Sequence, residues 1–357
     1  MKIKLGEALK YEQPTKYIVA SEKYNDSYAT PVLTAGKSFI LGYTNEESGI
    51  YDNLPVIIFD DFTTDIKYVD FPFKVKSSAM KMLQPANENY NLKFFYYLIK
   101  YMNFQPTSHQ RHWISKFAEM EFDIPERVKQ DQIVEKLDKL VEMQSKKTTQ
   151  LKKYDDLVKS QFIEMFENEK FENVNLENVC TKITDGSHNP PKGIDFSNYP
   201  MLSSQNINQQ INFSNVRYLN EADFLRENKR TQVAKGDILV TIVGTIGRSV
   251  VVQDEIITLQ RSVAVIKPNS NMNSYYINQY LKSETAQKQF SRKAHGSSQK
   301  GVYLGDLKKL QIPTPPIELQ NQFADFVKHI DKLKFTIKQS IEKLELCYKS
   351  LMKQYFD

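Results

Sequence analysis

The chain has 357 residues, enough for two ordinary hydrophobic cores, and its 40% hydrophobic and 25% charged residues exclude an extended disordered chain. The formal charge of +5 permits contact with nucleic acid or another acidic surface without demonstrating it. Cys180 and Cys347 are the two cysteines, neither with a ligand-spaced neighbour, which excludes a cysteine-rich metal site or a disulfide framework. No apolar run resembles a secretory leader or approaches the roughly 20 residues of a membrane span, so a soluble, cytoplasmic protein is expected.

In chain order, Ile3-Lys4-Leu5-Gly6-Glu7-Ala8-Leu9 opens the first half. Val56-Ile57-Ile58-Phe59 reads as a short buried strand closed by the turn residues that follow. Lys81-Met82-Leu83-Gln84-Pro85 comes next, and residues 92–101 read as a helix. Ile124-Pro125 marks the start of a long helix over 129–166, because proline suits a first helical turn and not an interior. The second half runs through Val174-Asn175-Leu176-Glu177-Asn178-Val179-Cys180 and the strand Asp237-Ile238-Leu239-Val240-Thr241-Ile242-Val243, broken by Gly244-Thr245-Ile246-Gly247. A helix over 275–282, the stop Pro313-Thr314-Pro315-Pro316 and a second long helix over 318–356 complete it.

The two halves repeat one plan. Apolar positions of the first long helix are Ile133, Leu137, Leu140, Leu151, Tyr154 and Val158; those of the second are Phe323, Val327, Ile330, Ile337, Ile341 and Leu344. They share one register, offset by 190 residues, with the alternating three- and four-residue steps of a coiled-coil seam. Gln130/Gln320, Gln132/Gln322, Lys153/Lys343 and Phe166/Phe356 are identical at that offset. Lys81 through Pro85 matches Ala264 through Pro268, Asn91 through Lys100 matches Asn273 through Lys282, and Trp113-Ile114-Ser115 matches Tyr303-Leu304-Gly305. Gln144 and Lys147 make the middle of the first seam polar, so part of it is expected to face solvent or a partner.

Three patterns suggest catalysis and each has a plainer explanation. His188-Asn189-Pro190-Pro191 approaches the tetrad of adenine amino-methyltransferases, but Lys192 stands where a stacking aromatic ring is needed, and a rigid Pro-Pro loop suffices. Asp60, Asp61 and Asp65 with Lys67 have the residue types of a Mg²⁺ nuclease, yet they read as a solvated strand-end turn. His109 and His112 have a three-residue spacing without a third ligand in register. No catalytic and no metal-binding residue is assigned.

These features together resemble the specificity subunits of type I restriction–modification systems, over essentially the whole chain. The helix starts carry the resemblance best: Ile124-Pro125 through Gln130-Asp131-Gln132-Ile133, and Ile312-Pro313 through Glu318-Leu319-Gln320. The family's Glu-Gln is Lys129-Gln130 in the first copy and is split by Leu319 in the second. Thr184-Asp185-Gly186-Ser187-His188 and Val243-Gly244-Thr245-Ile246-Gly247-Arg248 are similar to loops of such recognition domains.

The expected fold is mixed α/β (α+β), with largely antiparallel strands: two similar target-recognition domains at 1–125 and 169–316, separated by two long antiparallel coiled-coil helices at 126–168 and 317–357. A helix of about 36 residues is roughly 54 Å long, so the pair would act as a ruler between two half-sites, and the pseudo-twofold repeat suits a bipartite DNA target. The domains differ in their loops, so the half-sites should differ. Polar and basic loop residues suited to phosphate and base edges are Lys37, Tyr43, Thr63, Thr64, His109, Gln110 and Arg111 in the first domain. In the second they are Ser187, His188, Asn189, Ser204, Gln205, Asn206, Arg248, Gln260, Arg261, Ser298, Gln299 and Lys300. The resemblance implies a non-catalytic DNA-recognition subunit with two methyltransferase subunits and restriction/translocase subunits as partners. It places S-adenosylmethionine, ATP and Mg²⁺ in those partners and no cofactor in this chain. The alternatives are a modification-only or other phage-defence assembly, or a coiled-coil adaptor that does not bind DNA.

Overall fold

A computed structural model describes residues 2–34, 38–106, 111–167, 169–208, 210–296 and 300–357. The chain forms two compact units, Met1–Thr148 with Gln339–Asp357, and Thr149–Lys338. Each long helix therefore contributes one stretch to each unit.

In the first unit, β1 (Lys2–Lys4) leads through α1 (Leu5–Ala8) to β2 (Leu9–Glu12), followed by β3 (Thr30–Leu33), β4 (Ile40–Thr44), β5 (Val56–Asp60), β6 (Ile66–Val69), β7 (Lys74–Val75) and β8 (Met80–Pro85). Then come α2 (Leu92–Met102), α3 (His112–Ser115), β9 (Glu121–Asp123) and the long helix α4 (Arg127–Phe162). The strands form an antiparallel β2-β8-β5-β6 sheet, a β4-β3-β7 sheet with β3 and β7 parallel, and the β1-β9 pair. Val56, Ile57, Ile58 and Phe59 of β5 are fully buried, which explains an unbroken apolar run in a strand covered on both faces. Their burial contributes roughly 1.5–3 kcal/mol per side chain.

Asn91 caps α2, its Oδ1 accepting from the N–H groups of Lys93 and Phe94, and Asn103 ends it at φ 42°. Tyr97 and Lys93 of α2 both reach Asp138 on α4, at 2.5 and 2.8 Å. Along α4 in this unit, Lys136 meets Tyr355 and Gln144 meets Glu345, so this stretch and residues 339–356 run antiparallel. Ile133 and Leu137 are buried and Leu140 is half-buried; Ile341 and Leu344 are half-buried.

The second unit repeats this topology strand for strand. Following a π-helical turn at Ile163–Glu167, the chain forms β10 (Asn173–Asn175), β11 (Cys180–Asp185), β12 (Pro200–Leu202), β13 (Arg217–Tyr218), α5 (Glu221–Thr231), β14 (Ile238–Thr241), β15 (Ser249–Val251), β16 (Thr258–Leu259) and β17 (Val263–Pro268). Helices α6 (Ser274–Lys282), α7 (Glu284–Lys293) and α8 (Leu304–Lys308), β18 (Gln311–Pro313) and α9 (Ile317–Phe356) complete the chain. The sheets are β11-β17-β14-β15, antiparallel; β13-β12-β16, with β12 and β16 parallel; and β10-β18.

The first long helix is thus α-helical to Phe162 rather than to Phe166. The widened turn sets Phe162 and Phe166 side by side, ring centroids 5.1 Å apart, and both pack on Tyr276 and Phe323. Asp155 pairs with Lys334, so the helices are antiparallel here also. Phe323, Ile330 and Ile337 are buried, while Leu151, Tyr154, Val158 and Val327 are half-buried. Among the described residues no helix is long and apolar enough to cross a membrane.

Candidate nucleic-acid interface

In the second unit, backbone hydrogen bonds draw five loops onto one face. The segment after β11 docks against the one between β16 and β17: Ser187 N–H donates to Leu259 C=O at 2.8 Å, and Arg261 N–H donates to Ser187 C=O at 2.9 Å. Gln260 N–H donates to Leu202 C=O at 2.8 Å, tying in the loop after β12, where Ser204 N–H also reaches Ser262 Oγ at 3.0 Å. Ile242 N–H donates to Ser262 C=O, and Gly244 N–H donates to Lys300 C=O at 3.1 Å, which brings in the β14–β15 turn and the stretch at Lys300-Gly301. Gly186 makes the first junction possible. A Cβ there would lie 2.0 Å from the Leu259 carbonyl oxygen, so only glycine lets the two backbones approach this closely.

On this face His188, Asn189, Gln205, Arg248, Arg261 and Lys300 are exposed, and Ser204 and Gln260 are half-buried. Two sequence-based assignments are corrected. Asn206 is 2% exposed: its Oδ1 accepts from Ser203 N–H and its Nδ2 donates to Asn212 C=O and Ser214 C=O, leaving the side chain inside the loop. Ser187 is 9% exposed, and its backbone serves the loop junction. Asn and Ser occur as readily in turn-closing positions as in ligand contacts, and sequence alone does not separate the two.

Sequence reasoning missed the group that sets His188. Buried Asp185 holds His188 Nε2 at 2.8 Å through one carboxylate oxygen and Arg230 through the other, while Arg230 Nε donates to the Asp185 C=O. The imidazole and the guanidinium, 56% and 49% exposed, are oriented by one carboxylate. Asp185 stands in a segment the sequence points to; Arg230, 45 residues further along on α5, carries no local signal. The Pro190-Pro191 loop is pinned by Arg217 Nη1 donating to Pro191 C=O at 3.0 Å, and Lys192 is exposed.

In the first unit, Thr63, Thr64 and Arg111 come together around the β5–β6 turn. Asp60 Oδ1 accepts from Phe62 N–H and Thr63 N–H, and Thr64 Oγ1 reaches Phe104 C=O at 3.0 Å. His112 N–H donates to Asp61 C=O, and Trp113 N–H donates to Asp61 Oδ1 at 2.9 Å, so Arg111 stands exposed beside the turn. Tyr43 is placed on β4 in the other sheet, half-buried. Lys37, His109, Gln110, Ser298 and Gln299 lie outside the described residues.

The acidic cluster has structural work. Asp60 closes the turn, Asp65 accepts from Thr63 Oγ1, and Asp61 forms a buried ion pair with Lys81 at 3.2 Å. Among the described residues no three His, Cys, Asp or Glu side chains gather as a metal site. Burial pushes the Cys180 thiol up to about 12, the behaviour of a packed side chain rather than a nucleophile.

Comparison with known proteins agrees with this arrangement. Residues 168–346 match the family described as type I restriction modification DNA specificity domain. The EcoR124I/EcoR124II specificity subunit of Escherichia coli is 32% identical over 361 residues, covering 95% of this chain and 88% of that protein. The EcoBI specificity subunit, also of Escherichia coli, is 36% identical over 117 residues, 32% of this chain and 24% of that one. In fold, the chain is similar to the S subunit of a type I restriction–modification system from M. genitalium, with a TM-score of 0.64 at 13% identity, covering 100% of this chain and 96% of that one. The duplicated topology, the loop face and a full-length relative at this identity lead to one conclusion: the chain belongs to the specificity subunits of type I restriction–modification systems.

Proposed function

We propose that each globular domain reads one half of an asymmetric, bipartite DNA target for a type I complex. The observation that carries this reading is the convergence of five loops of the second unit into one face bearing His188, Asn189, Gln205, Arg248, Arg261 and Lys300. Arginine forks suit guanine edges and phosphates, while asparagine and glutamine suit adenine, so the face has the donor and acceptor types that major-groove reading needs. In the first domain Thr63, Thr64 and Arg111 are the corresponding contacts, with Tyr43 as an outlying one. The long helices set the spacer and dock two methyltransferase subunits, which in turn associate with restriction/translocase subunits. S-adenosylmethionine, ATP and Mg²⁺ belong to those partners.

The test is a map of adenine methylation in a host carrying this chain with its methyltransferase, beside a host lacking only this chain. A split motif that disappears with the chain is expected and identifies both half-sites. An unchanged methylation pattern, with the methyltransferase active, would overturn the reading in favour of a coiled-coil adaptor.

A further inference from the structure

The glutamines that recur 190 residues apart, Gln130 and Gln320, have no place in the loop face, yet each is among the most buried polar side chains, at 1% and 0% exposure. Their backbone partners correspond in the two units, with Met272 Sδ a further neighbour of Gln320 Nε2 at 3.6 Å. Gln130 Oε1 accepts from Asn91 N–H at 2.8 Å, and its Nε2 donates to Pro125 C=O at 2.8 Å and Asn89 C=O at 3.1 Å. Gln320 Oε1 accepts from Asn273 N–H at 2.9 Å, and its Nε2 donates to Pro315 C=O at 2.7 Å and Asn271 C=O at 3.4 Å.

The asparagines complete a clasp. Asn91 Oδ1 caps α2 while its Nδ2 donates to Asp131 Oδ1 at 2.6 Å; Asn273 Oδ1 caps α6 while its Nδ2 donates to Asn321 Oδ1 at 2.8 Å. One residue thus starts a domain helix and grips the long helix. The asparagines are 182 residues apart and the glutamines 190, so the intervening segments differ by eight residues while the clasp is unchanged. Geometry is kept at this point where the loops around it vary.

We propose that Gln130 and Gln320 are positioning residues that fix the register of each recognition domain on its long helix, and through it the spacing of the two half-sites. This rests on the bipartite reading above. The apolar contacts between each domain and its helix are non-directional and tolerate sliding. Hydrogen bonds of 2.7–3.2 Å with narrow angular limits do not. The tolerance at stake is small: one base pair is a rise of roughly 3.4 Å and a rotation of about 35° at 10–10.5 pairs per turn. A buried side chain bonded to three backbone groups in two segments, the entry to the domain helix and the start of the long helix, is the contact suited to resist such a shift.

The experiment uses the complete complex in its host and the methylation map already described. Gln130→Met keeps the length and removes the polar atoms. Asn91→Asp, at a half-buried position, keeps the helix cap and sets two carboxylates against each other at Asp131. Asn91→Asp with Asp131→Asn restores a donor–acceptor pair. Wild type should methylate one spacing only. Gln130→Met and Asn91→Asp should raise methylation at sites one base pair shorter or longer by about tenfold, the scale of one lost hydrogen bond, with the half-site bases unchanged. The double variant should return to the wild-type spacing. Uniform loss of methylation without new spacings in both single variants, or no change in either, overturns the proposal. If Gln130→Met yields no complex, Asn91→Asp and its double variant decide by the same criterion. Absence of any split motif in wild type would instead refute the underlying recognition reading.

Discussion

At the scale of single residues, neighbours in the sequence have opposite fates. Gln205 is exposed on the loop face, whereas Asn206 beside it is enclosed by the hydrogen bonds of its own turn. Gly186 shows how much of the face depends on one missing atom. Gly186→Ala would place Cβ 2.0 Å from Leu259 O and 2.7 Å from Gln260 C, both backbone atoms that cannot rotate away. A loss of about 3 kcal/mol is expected, in the upper range for a point substitution, measured by urea unfolding of the purified chain. Gly305→Ala is the matched control, since nothing lies within 4 Å of its added Cβ; a change under about 1 kcal/mol is expected there. Equal losses in the two variants would show that the close approach at Gly186 is not what holds the loops together. The sequence indicates that residues 184–191 matter, but a distance to a backbone 73 positions away has no local trace.

Among elements, those with a strong period were legible and those built from distant pieces were not. The long helices were evident from their proline starts and shared seam, and β5 and β14 from their buried β-branched runs. The three-stranded sheets were not, because strands of two to five residues such as β7, β12, β13 and β16 acquire their identity from partners; β12 pairs in parallel with β16, Met201 opposite Thr258. Helix α5 was also missed, since it buries only Phe224 and Thr231 and most of its other residues are charged or polar, so few apolar positions mark its face. Once aligned by topology, the β5–β6 and β14–β15 hairpins differ at one telling place. The first has the buried pair Asp61–Lys81 beside the turn; the second has Ile242 and Ala264 at the matching positions. Removing one member of a buried pair leaves an uncompensated charge, a cost of about 3–5 kcal/mol, whereas replacing both by apolar groups is often near neutral. Asp61→Asn keeps the acceptor for Trp113 N–H but strands the Lys81 ammonium, and should destabilise by about 3 kcal/mol. Adding Lys81→Met should recover most of that loss in the same unfolding assay. Failure to recover would mean that the hydrogen bonds to Asp61, rather than its charge, maintain the turn.

For the molecule as a whole, the repeat makes a stronger prediction than any loop residue does. Each unit joins the start of one long helix to the end of the other, and each domain is clasped at the start of its own helix by the same glutamine and asparagine chemistry. The second domain is therefore compatible with the first helix. Transplanted in place of residues 1–125, residues 169–315 bring Asn273 to Gln130 and Asp131, and Asp131 offers the carboxylate oxygen where Asn321 offered an amide oxygen. Such a chain carries one reading face twice, on antiparallel helices. With both half-sites read by one kind of domain, its target should consist of the half-site of the second domain twice, in the inverted orientation of a two-fold site. The methylation map of a host expressing this chimera with the methyltransferase checks the outcome. A palindromic motif is expected, in place of the asymmetric one proposed for the natural chain. A motif still containing the half-site of the first domain would show that residues outside 1–125 specify it. A direct rather than inverted repeat would contradict the match of a two-fold reader to a two-fold target.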